Sequence, residues 1–190
     1  RFFVHPGVDY RGIIRAVWVL TTTGEKRVGG STITMQVARN FFLTNEKSFT
    51  RKIYEVLLAW KIEANLSKEQ ILELYMNQIY LGQRAYGFSS AAQIYFGKDI
   101  QRISIAEAAM LAGLPKAPSA YNPVVNYRRA KIRQEYILQR MRDLKMITPS
   151  QYQSAMTETL HVRGVGREFT TKADFATEMV RQLLISEYGD

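Results

Sequence analysis

The stretch Thr50-Arg51-Lys52-Ile53-Tyr54-Glu55-Val56-Leu57-Leu58-Ala59-Trp60-Lys61-Ile62-Glu63-Ala64 decides the fold class. Its apolar residues Ile53, Val56, Leu57, Trp60 and Ala64 recur at three- and four-residue steps, the period of one helix face, and Thr50 can cap the start. Downstream, Ser67-Lys68-Glu69-Gln70 and Ser104-Ile105-Ala106-Glu107 fit the capping box. So does Thr148-Pro149-Ser150-Gln151, with Pro149 at the tolerated first helical position. Upstream, Asp9 precedes the apolar-periodic Ile13, Ile14, Val17 and Trp18, a run that closes on Thr21-Thr22-Thr23-Gly24. Gly29-Gly30-Ser31-Thr32 then introduces a helix from Ile33 to Phe42, with Ser31 near its N-cap. The connectors are short and rich in Gly and Pro, and only Leu160-His161-Val162-Arg163 alternates like a strand. These signals predict a mainly α body over residues 1–123. Residues 124–190 differ: a basic helix from Tyr127 to Lys145, a short second helix, a polar stretch, and an amphipathic helix from Ala173 to Tyr188. They predict a helical linker of short, mixed α/β character leading toward another domain.

At 190 residues, with 46% hydrophobic and 23% charged side chains, the chain can bury a core, which excludes disordered and collagen-like classes. The formal charge of +9 favours an anionic partner: nucleic acid, acidic headgroups or a phosphorylated substrate. With no cysteine and only His5 and His161, thiolate and histidine-rich metal sites are not expected. No stretch approaches the roughly 18 apolar residues of a spanning helix.

Three constellations could carry chemistry. Thr32, Gln36, Arg39 and Asn40 share one helix face, and Gly30 would let the backbone approach a ligand at a helix start suited to phosphate. An ordinary capped amphipathic helix is the bland alternative, which spacing alone favours. Arg51, Lys52 and Glu55 also share a face, where the cations can pair with the carboxylate and meet a ligand phosphate. As a merely solvated pair, with the cations on the N-terminal side, the arrangement is worth at most about 0.2–0.5 kcal/mol. His5, before Pro6-Gly7, is either a ligand contact or a turn histidine bonded to nearby backbone.

In this order and at these distances the segments resemble the five motifs of the family-51 glycosyltransferase domain of class A penicillin-binding proteins, with the wording of the 1A subtype. The likeness runs from Arg1 to about Pro123 and includes Tyr86-Gly87, Tyr95-Phe96-Gly97-Lys98 and Leu111-Ala112-Gly113-Leu114-Pro115-Lys116-Ala117-Pro118. It implies a lysozyme-like, two-lobed helical fold whose smaller lobe dips into the membrane, on the outer, periplasmic side of the bacterial cytoplasmic membrane. The implied reaction polymerises lipid II onto a growing glycan strand, with inversion and release of undecaprenyl pyrophosphate. Moenomycin-type inhibitors would bind, no cofactor would be required although a divalent Mg or Mn ion could take part, and nucleic acid would not be a partner. Carried over residue by residue, Glu55 matches the second family carboxylate. Thr32, Gln36, Arg39, Asn40, Arg51 and Lys52 match substrate-contacting positions, and His5 falls in the first motif. The family's principal base is a glutamate in a Glu-Asp-x-x-Phe motif; Phe2 matches the phenylalanine, so that base and a membrane anchor are expected before Arg1, and a transpeptidase domain after Asp190. Two positions depart from the family's habit, Arg39 for Lys and Met35 for Gln.

Two rival readings share some of these features. A lysozyme-like hydrolase or lytic transglycosylase would share the fold but needs a carboxyl with a raised pKa and no cationic cradle. A basic helical binding module would use Arg128, Arg129, Lys131, Arg133 and Arg140, although interleaved stacking aromatics are sparse there.

Overall fold

The computed structural model describes residues 2–24, 30–42 and 49–163. Over these residues the chain folds into α1 (Tyr10–Thr23), α2 (Ile33–Phe42), α3 (Phe49–Asn65), α4 (Lys68–Gln78), α5 (Phe88–Phe96), α6 (Ile105–Gly113), α7 (Tyr127–Asp143) and α8 (Pro149–Thr157). Short 3-10 turns occur at Phe2–Val4, Ile100–Arg102 and Leu114–Lys116. Among the described residues the only β pairing is an isolated antiparallel bridge between Tyr80 and Tyr86. The fold is mainly α, as expected. Gly29 and the expected helix from Ala173 to Tyr188 lie outside the described residues.

The local signals explain most helix starts. Asp9 Oδ1 accepts the Gly12 amide at 2.9 Å and opens α1. All three capping boxes form, at Ser67 with Gln70, Ser104 with Glu107 and Thr148 with Gln151, and Pro149 takes the first position of α8. Two caps fall elsewhere than expected. Thr50 lies inside the first turn of α3, and Thr32 rather than Ser31 caps α2, its Oγ1 accepting the Met35 amide at 3.2 Å.

The larger apolar cluster is built mainly by α4 to α8, with Ile71, Leu81, Tyr95, Leu111, Leu114 and Leu138 fully buried. Packing continues without a break past residue 123: Ala130, Leu138, Ile147, Ala155 and Leu160 belong to that same cluster. The alternating run at Leu160 forms no strand. It returns along α5, where the Arg163 amide donates to the Tyr95 carbonyl at 2.8 Å.

A smaller cluster joins Val8, Met35 and Ala59, with Ile13 and Val56 against it. Here α3 turns most of its apolar stripe outward. Its buried positions are Glu55, Ala59 and Ile62, while Ile53 is 61% exposed and Leu57 and Trp60 also face outward. Apart from Val56, the stripe that marks α3 as a helix is therefore not its core face.

Candidate active site

Burial of Glu55 follows from the turn of α3: Ala59 and Ile62 lie one and two turns further along the same inward face, and Glu55 is 1% exposed. Its carboxylate is clasped by the two preceding cations. Lys52 Nζ donates to Oε2 at 2.5 Å, and Arg51 Nε stands 3.3 Å from Oε1. A solvated ion pair is thus ruled out as the explanation of this spacing, because a carboxylate withdrawn from water must be balanced within the protein. The Lys52 side chain is 40% exposed, so it is the cluster's route to the surface.

Lys52 also ties α3 to the start of α2, its Nζ donating to Ser31 Oγ. Beside Ser31, the Thr32 hydroxyl donates to the Gly7 carbonyl while capping α2. That carbonyl belongs to the His5-Pro6-Gly7 turn, in which His5 Nδ1 accepts the Gly7 amide at 3.1 Å. His5 is the turn histidine of the blander sequence reading, and the bond assigns its proton to Nε2. Gly30 does approach a backbone, but that of α1: a Cβ there would lie 3.2 Å from Gly12 and Ile13. Close helix packing, rather than ligand approach, accounts for this glycine.

Thr34, Met35, Val37 and Ala38 form the buried side of α2; Thr32, Gln36 and Arg39 are partly exposed and Asn40 is exposed. The structure brings His5, Thr32, Arg51, Lys52 and Glu55 into one bonded chain through Gly7 and Ser31. Gln36, Arg39 and Asn40 continue along the same helix face without a direct bond to Glu55. Arg39 turns toward α4, where burial pushes the Tyr75 phenol up and the guanidinium pulls it partway back. At the end of α4, Asn77 lies in the last turn and Ile79 is the C-cap. Among the described residues there is no group of three His, Asp or Glu side chains suited to a metal ion.

Sequence reasoning missed Ser31 as a partner of Lys52, and also Glu63 and Lys68. Lys68 Nζ donates to Glu63 and to the His5 carbonyl. No periodicity announces bonds made across such chain distances. A second missed feature is an outward apolar face: Tyr10, Ile14 and Trp18 on α1, and Ile53, Leu57 and Trp60 on α3. The two helices meet there, Trp60 Nε1 donating to the Tyr10 hydroxyl at 2.9 Å. No helix among the described residues is long and apolar enough to cross a membrane.

A carboxylate clasped by cations beside a polar helix row suits a reaction that expels an anionic group, and the sequence pattern of the family described as Transglycosylase matches residues 1–142. The chain belongs to this family of glycosyltransferases. Penicillin-binding protein 1A of Neisseria lactamica and that of Neisseria gonorrhoeae are each 58% identical over 190 residues, a match taking in 100% of this chain and 24% of theirs. The chain therefore spans about a quarter of the length of these relatives. A Cupriavidus necator protein whose name carries the word transglycosylase is 59% identical over 163 residues, covering 86% of this chain and 70% of that protein. In solved form, penicillin-binding protein 1A from Haemophilus influenzae superposes with a TM-score of 0.55 at 34% identity, over 84% of this chain and 20% of that one.

Proposed function

We propose that this domain polymerises lipid II into peptidoglycan strands at the outer face of the bacterial cytoplasmic membrane. The supporting observation is the buried Glu55 held between Arg51 and Lys52, with Lys52 bridging to the start of α2. An acceptor sugar hydroxyl attacks the anomeric carbon of the donor from the side opposite its pyrophosphate. The new C–O bond forms as the bond to pyrophosphate breaks, with inversion, and undecaprenyl pyrophosphate departs. The hydroxyl proton goes to a general base, which the resemblance places four residues before Phe2. Glu55 works from behind the surface: it fixes Arg51 and Lys52, whose charges stabilise the departing diphosphate. Gln36, Arg39 and Asn40 extend the groove along α2 and hold sugar and phosphate oxygens, Arg39 offering a bidentate fork. A moenomycin-type inhibitor would occupy the same groove.

A resident Mg or Mn ion does not fit Glu55, because the carboxylate already stands between two cations, the wrong electrostatics for a third. The outward apolar face of α1 and α3 would rest in the bilayer beside the substrate's lipid tail, with tryptophans at its edge. A transpeptidase domain would follow in the parent chain.

The test is glycan synthesis from lipid II by the full-length parent. Glu55→Gln should lower turnover by about 10²–10³-fold, the usual cost of dismantling one transition-state stabiliser, with the fold retained. Shortening of preformed glycan by the wild type, without extension, would instead favour the hydrolase.

A further inference from the structure

Lys68 opens α4 and reaches back to the chain that precedes α1. Its ammonium donates to Glu63 on α3 and to the His5 carbonyl, and lies 5.0 Å from the centre of the Phe2 ring. Glu63 accepts in turn from Thr34 Oγ1 on α2 at 2.5 Å. Both side chains of the pair are more than four-fifths buried, at 18% and 15% exposure. Gly7, at φ +84°, rests directly against Glu63: a Cβ there would sit 2.5 Å from Glu63 Cγ. The turn from His5 to Gly7 is thus gripped by α2 through Thr32, by α3 through Glu63 and by α4 through Lys68.

We propose that Lys68, locked by Glu63, is a positioning residue of the transfer reaction. It sets the Phe2–Gly7 segment against the first turn of α2, and with it the bonded chain Gly7, Thr32, Ser31, Lys52 and Glu55. This role rests on the reading of the site as a lipid II polymerase. Displacement of a reacting geometry by about 1 Å from a distance can cost roughly 10²-fold in rate, whereas a contact that only holds the fold together changes stability alone.

The experiment compares Lys68→Met, Lys68→Arg and Glu63→Gln in the full-length parent, with kcat and KM for lipid II and thermal melting measured on each. Lys68→Met keeps the apolar stem and loses every donor; kcat should fall about 10–100-fold while KM stays within about threefold. Lys68→Arg, which restores donors and charge, should recover part of that loss. Unchanged kcat with a lowered melting temperature, or equal loss in Lys68→Met and Lys68→Arg, would overturn the assignment. If Lys68→Met does not fold, Glu63→Gln carries the test: it keeps the shape of the site, and its kcat should fall about 3–10-fold, unchanged kcat again overturning the role. A wild-type parent that makes no glycan from lipid II would remove the polymerase reading itself, an outcome distinct from any variant effect.

Discussion

Two buried glutamates show how differently the two halves of this molecule are built. Glu107 closes the capping box of α6, its Oε2 accepting the Ser104 amide at 2.8 Å and its Oε1 the Lys98 ammonium at 2.7 Å. One of these bonds serves a helix start and the other ties α6 to Lys98 just past α5, and the apolar side of α6 is turned inward, with Met110 and Leu111 buried. Glu55 stands in the body of α3, caps nothing, and is clasped by cations of its own helix while Ile53, Leu57 and Trp60 face out. Structure accounts fully for the first carboxylate. For the second it supplies the means of holding it, and on the proposed reading the reason lies in the transfer chemistry.

The sharpest way to break this contrast is Glu107→Gln beside Glu55→Gln. Glutamine already serves the capping boxes at Gln70 and Gln151, so Glu107→Gln keeps its cap and loses only the charged bond to the half-exposed Lys98. Stability should fall by about 1–2 kcal/mol in denaturant titration, with lipid II turnover near wild type per folded molecule. A fall in turnover comparable to that of Glu55→Gln would show that the two carboxylates are not divided as described.

The same contrast explains what could be read from the sequence. Capping boxes at Ser67, Ser104 and Thr148 are local, four residues long, and form as written. The triad of Arg51, Lys52 and Glu55 was legible as spacing, but its burial was not, since a helix face with charges at three- and four-residue steps is usually solvated. Periodicity in α3 correctly announced a helix and left its direction open, because an apolar stripe records that a face avoids water and not whether protein or lipid replaces it. Ser31 with Lys52, and Lys68 with His5, are long-range bonds between residues whose local roles read as cap and capping box.

Tyr95 offers a smaller effect in the conventional half. It is fully buried, its hydroxyl donates to the Leu81 carbonyl at 2.8 Å, and burial pushes its pKa up from 10.0 to about 12. Because the folded state holds this proton more tightly than the unfolded state does, the associated stability is complete below about pH 10 and is lost as pH rises toward 12. Tyr95→Phe should cost about 1 kcal/mol at neutral pH by removing the bond, and should flatten the alkaline decline followed by circular dichroism. A variant with the same alkaline decline as wild type would assign that decline to other groups.

The smallest folding effect belongs to α3 and carries the most information. Leu57 is 48% exposed on the outward face, so Leu57→Ser should change folding stability by less than about 0.5 kcal/mol. Were the stripe of α3 a core face, as its periodicity alone suggests, a comparable truncation would cost about 2–5 kcal/mol. In bilayers the outcome should separate from stability: transferring that side chain from lipid contact to serine removes on the order of 1 kcal/mol of apolar burial, raising KM for lipid II about fivefold without altering kcat. An unchanged melting temperature together with the raised KM would place lipid on the outward face of α1 and α3. An unchanged KM in bilayers would leave the apolar face without its proposed partner.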